Sequence, residues 1–219
     1  MPLDFERARF NMIEQQVRPW EVLDPRVLEA MGKVRREDYV PARFRKLAFA
    51  DVEIPLEHGE AMAKPIVQGR MLQALEVQPD DAVLEIGTGS GFLTACFAHL
   101  GREVVSVDRH ADLAQRARER LAEAGLTNVR VEAGDALRDW TPGRPFDAIC
   151  INGAVDAVPQ RLVDWIAPGG RMFVVRGRAP AMEAVLLRRL PDSSIATDSL
   201  FETEIPYLHG AEPKPGFTL

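Results

Sequence analysis

Val83-Leu84-Glu85-Ile86-Gly87-Thr88-Gly89-Ser90-Gly91-Phe92 decides how the rest of the chain is read. Val83 to Ile86 is a short apolar run with one acid in it, the pattern of a strand buried in a parallel sheet. Three glycines follow at alternate positions, and Leu93 to Leu100 is apolar and helix-compatible. The order is therefore strand, glycine turn, helix. Such a turn lets a ligand approach the backbone without meeting a Cβ, and the helix behind it offers free N–H groups. The dinucleotide fingerprint spaces its glycines as G-x-G-x-x-G. Here the third comes one residue early, at Gly91. A tight βα turn with no ligand also uses glycine, so the turn alone leaves both readings open.

The next strand narrows them. Glu103-Val104-Val105-Ser106-Val107-Asp108 ends in an acid. Asp108 falls roughly 20 residues beyond the turn, where a carboxylate reaches the hydroxyls of a ribose. A carboxylate accepts two such bonds at once. The alternative for Asp108 is a solvated acid at a strand end.

Composition excludes several classes. The 219 residues suffice for one α/β domain with extra helices, and 46% hydrophobic content is ordinary for a globular core. With 27 basic against 33 acidic residues and no Lys/Arg cluster, no nucleic-acid partner is expected. No apolar run reaches a membrane span, and Met1-Pro-Leu-Asp-Phe-Glu-Arg lacks a secretory pattern. Cys96 and Cys150 lie inside apolar helix and strand patterns and read as reduced core residues of a cytoplasmic protein. Neither they nor the four histidines have metal-ligand spacing. His99, His110 and His209 fall at element ends and read as surface residues. Oligomeric state is not legible.

Around the central unit, Phe5, Ala8, Met12, Ile13 and Val17 have helical spacing over residues 2–20, with Pro19 as the stop. Asp24-Pro25 reads as an N-cap followed by proline at the first helical position. Val27, Leu28, Met31 and Val34 form one face of the helix it starts. Arg35-Arg36-Glu37-Asp38 reads as a solvated charged exit. Ile66, Met71, Leu72 and Leu75 mark a further helix. Beyond Asp108, Leu113, Ala117, Leu121 and Ala124 give an amphipathic helix with Arg116, Arg118 and Arg120 outward, closed by Gly125. Val129 to Val131 and Phe146 to Ile151 are the next strands. Asn152-Gly153-Ala154 leaves the second of these at its carboxyl end, where open α/β sheets bind ligands. Val158, Leu162 and Ile166 suggest a helix stopped by Pro168-Gly169-Gly170. Arg171–Val175, 184–190 and 197–205 complete the strands, and the proline-rich tail 212–216 reads as loose.

Glu85-Ile86-Gly87-Thr88-Gly89-Ser90-Gly91 with Asp108 resembles the cofactor site of class I S-adenosylmethionine-dependent methyltransferases. Glu85 would repel a diphosphate but tolerate a sulfonium or an ammonium group, which favours the methyl donor over NAD. The N-terminal third is more specific. Val27 to Val34, Arg36-Glu37-Asp38-Tyr39-Val40-Pro41, and Ile54-Pro55-Leu56-Glu57-His58-Gly59 with Pro65 and Arg70-Met71 resemble the protein-L-isoaspartate O-methyltransferase family. The resemblance covers most of the chain. It implies a Rossmann-like, doubly wound, mostly parallel α/β sheet with a late antiparallel strand pair and an N-terminal helical extension. Residues 1–219 would form one domain, with 1–78 on the acceptor side and 79–219 as the cofactor-binding sheet. It implies S-adenosyl-L-methionine as cofactor and a protein or peptide carboxylate as acceptor. Cofactor contacts would come from Glu85, Gly87, Thr88, Gly89 and Asp108, together with Arg109, Asp135, Ala136 and Asn152.

One departure bears on the chemistry. The family usually carries a Thr-Ile-Ser type sequence before the proline, its serine considered the active-site residue. Here Glu60-Ala61-Met62-Ala63-Lys64-Pro65 has no hydroxyl at either position. Ala63 and Lys64 become the acceptor-side candidates, Lys64 as a point charge for an anion. His58 is a further candidate for that side. A small-molecule acceptor on the same fold, or cofactor binding without chemistry, are the alternatives.

Overall fold

A computed structural model describes residues 4–214. Helix α1 (Phe5–Met12) starts at Asp4, whose carboxylate accepts the Arg7 N–H at 3.1 Å. It runs on through a π turn over 13–17 and a 3-10 turn over 18–20. Pro19 therefore sits inside the last turn and does not end the helix before it. Asp24 caps α2 (Pro25–Lys33) through the Arg26 N–H at 2.8 Å, as the Asp-Pro pair predicts. After α3 (Arg36–Tyr39) come two short strands, β1 (Ile54–Pro55) and β2 (Ala61–Met62), paired antiparallel, and then α4 (Pro65–Leu75).

The sheet begins at β3 (Ala82–Ile86) and continues through α5 (Phe92–Leu100), β4 (Glu103–Asp108), α6 (Ala111–Glu123) and β5 (Val129–Ala133). The chain then crosses to β6 (Phe146–Val155), α7 (Gln160–Val163), β7 (Ile166–Arg178), β8 (Ala181–Arg189) and β9 (Ile195–Glu202). The strand order is β5-β4-β3-β6-β7-β8-β9, parallel as far as β7 and antiparallel after it. The expected Rossmann-like sheet with a late antiparallel pair is the observed one. From β3 the chain first builds outward to β5, then returns to place β6 on the other side of β3. That reversal opens a crevice at the carboxyl ends of β3 and β6.

Alternation along the strands divides the core. Val83, Val104, Ala148, Cys150 and Phe173 pack under the helices of one face. Leu84, Ile86, Val105, Ile149 and Met172 face the other side, against α7 and residues 136–140.

Three expectations are corrected. The 35–38 charged run is not a solvated exit: Arg36 and Glu37 are buried, and Glu37 accepts from Arg9 at 2.6 Å. Charges reach such a position only when partners from elsewhere satisfy them. Of the α6 arginines only Arg118 is exposed; Arg116 and Arg120 are half-buried, and Arg120 donates to the Ser90 carbonyl at 3.2 Å. Ile166 is not helical. The helix is a single turn at 160–163, and Ile166 opens β7 opposite Phe146, because a parallel neighbour takes its backbone bonds. The proline-rich tail lies partly outside the described residues.

Candidate cofactor cleft

The crevice forms a cleft at the carboxyl ends of the strands, where open α/β sheets bind their ligands. Gly87 and Gly89 form one wall, Asp108 and Arg109 the next, Asp135 and Ala136 a third, and Asn152 lies across from Gly87. These seven sequence candidates are brought together.

Each is placed by backbone geometry. Gly87 has φ +91, and a Cβ there would lie 3.2 Å from the Asn152 carbonyl oxygen, so only glycine lets β3 and β6 approach so closely. Asn152 Nδ2 donates to the Gly87 carbonyl at 3.0 Å and closes the switch point. Asp108 ends β4. Its Oδ2 accepts the Gly89 N–H at 2.8 Å, and its Oδ1 accepts the His110 N–H at 2.8 Å. Each oxygen keeps a further lone pair for a hydroxyl. Burial raises the Asp108 pKa above the ordinary carboxylate value, and the two N–H bonds oppose that rise. Asp135 holds the Leu137 N–H at 2.9 Å, which turns the chain back across the sheet end.

Five candidates do not line the cleft: Glu85, Thr88, Ala63, Lys64 and His58, whose Nε2 lies 2.8 Å from Asp112. Glu85 lies on the strand positions that face the helices, so its side chain points beneath α5. Its Oε2 accepts from Thr94 and from Ser106, the latter at 2.7 Å, and Oε1 has no hydrogen-bond partner among the described residues. Full burial pushes its pKa up to about 8. It props the loop from beneath and does not face the cleft, so the charge argument drawn from it does not hold. Thr88 is likewise turned inward, 2.6 Å from the Ser106 hydroxyl. Ala63 packs into the helical core, and Lys64 borders a separate groove with Glu53 and Glu204.

The cleft has residues the sequence did not signal. Glu60 and Ala61 enter from the β1–β2 hairpin, and Leu208 and His209 from a segment following the last strand. That segment clasps the end of β6: Ala154 N–H donates to the Pro206 carbonyl and Leu208 N–H to the Ala154 carbonyl, both at 2.8 Å. Gly153 is required beneath it, because a Cβ would lie 2.7 Å from Leu208 Cδ2. Arg109 Nη1 donates to the His209 carbonyl at 3.0 Å and ties the segment to β4. His110, expected at the surface, is only one-fifth exposed; it stacks on His58 with centroids 4.3 Å apart and lies 3.2 Å from Glu60.

The lining suits an S-adenosyl group. Glu60, Asp108 and Asp135 stand against one cation, Arg109, so a positively charged ligand is favoured. Among the described residues no group of His, Cys, Asp and Glu could hold a metal ion, and no helix is long and apolar enough to cross a membrane.

The model of the protein-L-isoaspartate(D-aspartate) O-methyltransferase family matches residues 8–205. The chain belongs to that family. A Methanoculleus marisnigri protein-L-isoaspartate O-methyltransferase is 40% identical over 181 residues, 83% of this chain and 82% of the relative. The Methylorubrum populi enzyme of the same name is 37% identical over 206 residues, 94% of this chain and 97% of the relative. Among solved structures, a Plasmodium falciparum protein described as a beta-aspartate methyltransferase of this family, in complex with S-adenosyl-L-homocysteine, superposes with a TM-score of 0.79. It is 19% identical and aligned over 94% of this chain and 98% of its own, which shows a shared fold. This member of the family has alanine at 61 and 63.

Proposed function

We propose that this protein is an S-adenosylmethionine-dependent O-methyltransferase of the protein-L-isoaspartate type, acting on the side-chain carboxylate of isoaspartyl residues in proteins. The observation that carries the reading is Asp108 held against Gly89 at the switch-point cleft, in a chain that the family model matches from 8 to 205.

The cofactor, when bound, supplies an electrophilic methyl group on sulfur. Asp108 would hold the ribose hydroxyls. Gly87 and Gly89 would let the backbone close on the ligand, Asp135 and Ala136 would border the base, and Asn152 would form the floor. A carboxylate acceptor, with an ordinary pKa near ~4, is ionised at neutral pH, so no general base is required of the protein. What remains is alignment, which by itself can contribute on the order of 7–11 kcal/mol. The protein substrate would be met in the cytoplasm, where Cys96 and Cys150 stay reduced.

The test is transfer of tritiated methyl from S-adenosylmethionine to an isoaspartyl peptide, with its aspartyl twin as control. Label on the first alone is expected; binding of the cofactor with label on neither removes this acceptor. A second reading, a small-molecule acceptor, has one observation behind it: alanine at both 61 and 63. A metabolite screen for methyl acceptance separates the two.

A further inference from the structure

Arg36 is fully buried, and its three hydrogen bonds go to neutral oxygens. Nε donates to the Ala48 carbonyl at 2.8 Å, Nη2 to the Ala63 carbonyl at 2.9 Å, and Nη1 to Gln68 Oε1 on α4. Its Cζ sits 4.7 Å from the centre of the Phe92 ring, the first residue of α5 after the glycine turn. Tyr39 packs edge-on against the same ring. One side chain thus joins α3, the 48 loop, the end of the β1–β2 hairpin, α4 and the start of α5.

Burial pulls the guanidinium pKa down to about 9, a sign of how unfavourable the site is for a cation. Apolar packing would hold these elements together at lower cost. An arginine offers something else: a rigid planar fork whose bonds leave in fixed directions. One prong holds Ala63, two residues beyond Ala61 in the cleft wall, and the flat face lies on the residue that follows Gly91.

We propose that Arg36 is a positioning residue for methyl transfer, fixing the spacing between segment 61–63 and the glycine loop across the cleft. The proposal rests on the methyltransferase reading above. A reaction that works by alignment loses rate when two walls shift by a fraction of an ångström, while a cofactor held mainly by Asp108 and the glycines keeps its affinity.

The experiment compares wild type with R36K, which keeps charge but loses the fork. Turnover is measured on the isoaspartyl peptide, and S-adenosylhomocysteine binding by calorimetry. The expected result is a folded R36K whose Kd changes by less than about threefold while kcat falls about tenfold or more. Retention of kcat in folded R36K overturns the proposal, as does parallel loss of kcat and affinity, which would mean general loosening. Q68L, which removes one acceptor of the fork, is the milder second variant should R36K not fold; the same split at smaller amplitude is expected, and unchanged kcat overturns the proposal. If wild type binds S-adenosylhomocysteine but methylates no isoaspartyl peptide, the acceptor reading has failed on its own. Arg36 is then judged by hydrogen exchange: amides 60–64 should exchange about tenfold faster in the variant while 83–92 keep their rates. Equal rates at 60–64 overturn it.

Discussion

The Asp108 carboxylate accepts the backbone N–H of Gly89 at 2.8 Å, so the end of β4 holds the glycine loop in shape before any ligand arrives. The same carboxylate is assigned the ribose. Replacing Asp108 by alanine removes both functions. Each charged hydrogen bond contributes about 1.5–3 kcal/mol, so S-adenosylhomocysteine affinity should fall by roughly 100-fold or more. Asparagine, which keeps one acceptor oxygen, should fall between. Calorimetric titration reads both variants, and an unchanged D108A would remove the cofactor assignment.

Glu85 makes stability depend on pH. Its pKa is raised from 4.5 in the unfolded chain to about 8 in the fold, so the folded state prefers the proton. Its stabilising contribution is complete below pH 4.5 and is lost as pH rises toward 8, by up to about 1.4 kcal/mol per pH unit. Glu85→Gln is a neutral isostere that can accept the same two hydroxyl bonds. Urea midpoints of wild type should decline from pH 5 to 8 relative to Glu85→Gln, with the variant the more stable at pH 8. Parallel curves would mean that Glu85 is ionised in the fold.

Arg109→Ala frees the His209 carbonyl. Loss of one hydrogen bond, about 0.5–1.5 kcal/mol, should weaken S-adenosylhomocysteine binding several-fold and speed amide exchange over 206–211. Exchange confined to other segments would show that the clasp on β6 suffices without Arg109.

Gly87→Ala introduces a Cβ 3.2 Å from the Asn152 carbonyl at a φ of +91. The two effects together should cost about 1–3 kcal/mol and separate β3 from β6 at the switch point. Both the melting temperature and cofactor affinity should drop. A variant that melts as wild type does would mean that the crevice is wider in solution.

Ala63→Ser adds a hydroxyl at an acceptor-side candidate. Ala63 packs into the helical core and outside the cleft, so kcat/KM on the isoaspartyl peptide should stay within about twofold of wild type, short of the roughly tenfold that one new hydrogen bond could supply. A rise toward tenfold in steady-state kinetics would mean that the side chain at 63 turns to the acceptor.

What was legible in the sequence was local. The glycine turn, Asp108 and Asn152 each sit within a few residues of a strand end, so period and punctuation alone place them in one crevice. Glu85 was misjudged although the means were present: strand alternation sends it with Val83 toward the helices, away from the ligand. Arg36 and Glu37 were misread for a different reason. A run of four charges looks solvated unless one knows that Arg9, Ala48, Ala63 and Gln68 converge on it. Leu208 and His209 carried no signal, because a wall supplied from some fifty residues beyond β6's end is a property of topology.

The clasp of 206–211 onto β6 also orders events during synthesis. Every strand of the sheet precedes it, so a nascent chain can complete β3 through β9 and still lack one side of the crevice. Ligand capture therefore gains its last wall only once the clasp has closed, and a released chain ending near 202 should fold yet bind S-adenosylhomocysteine more weakly than the full chain.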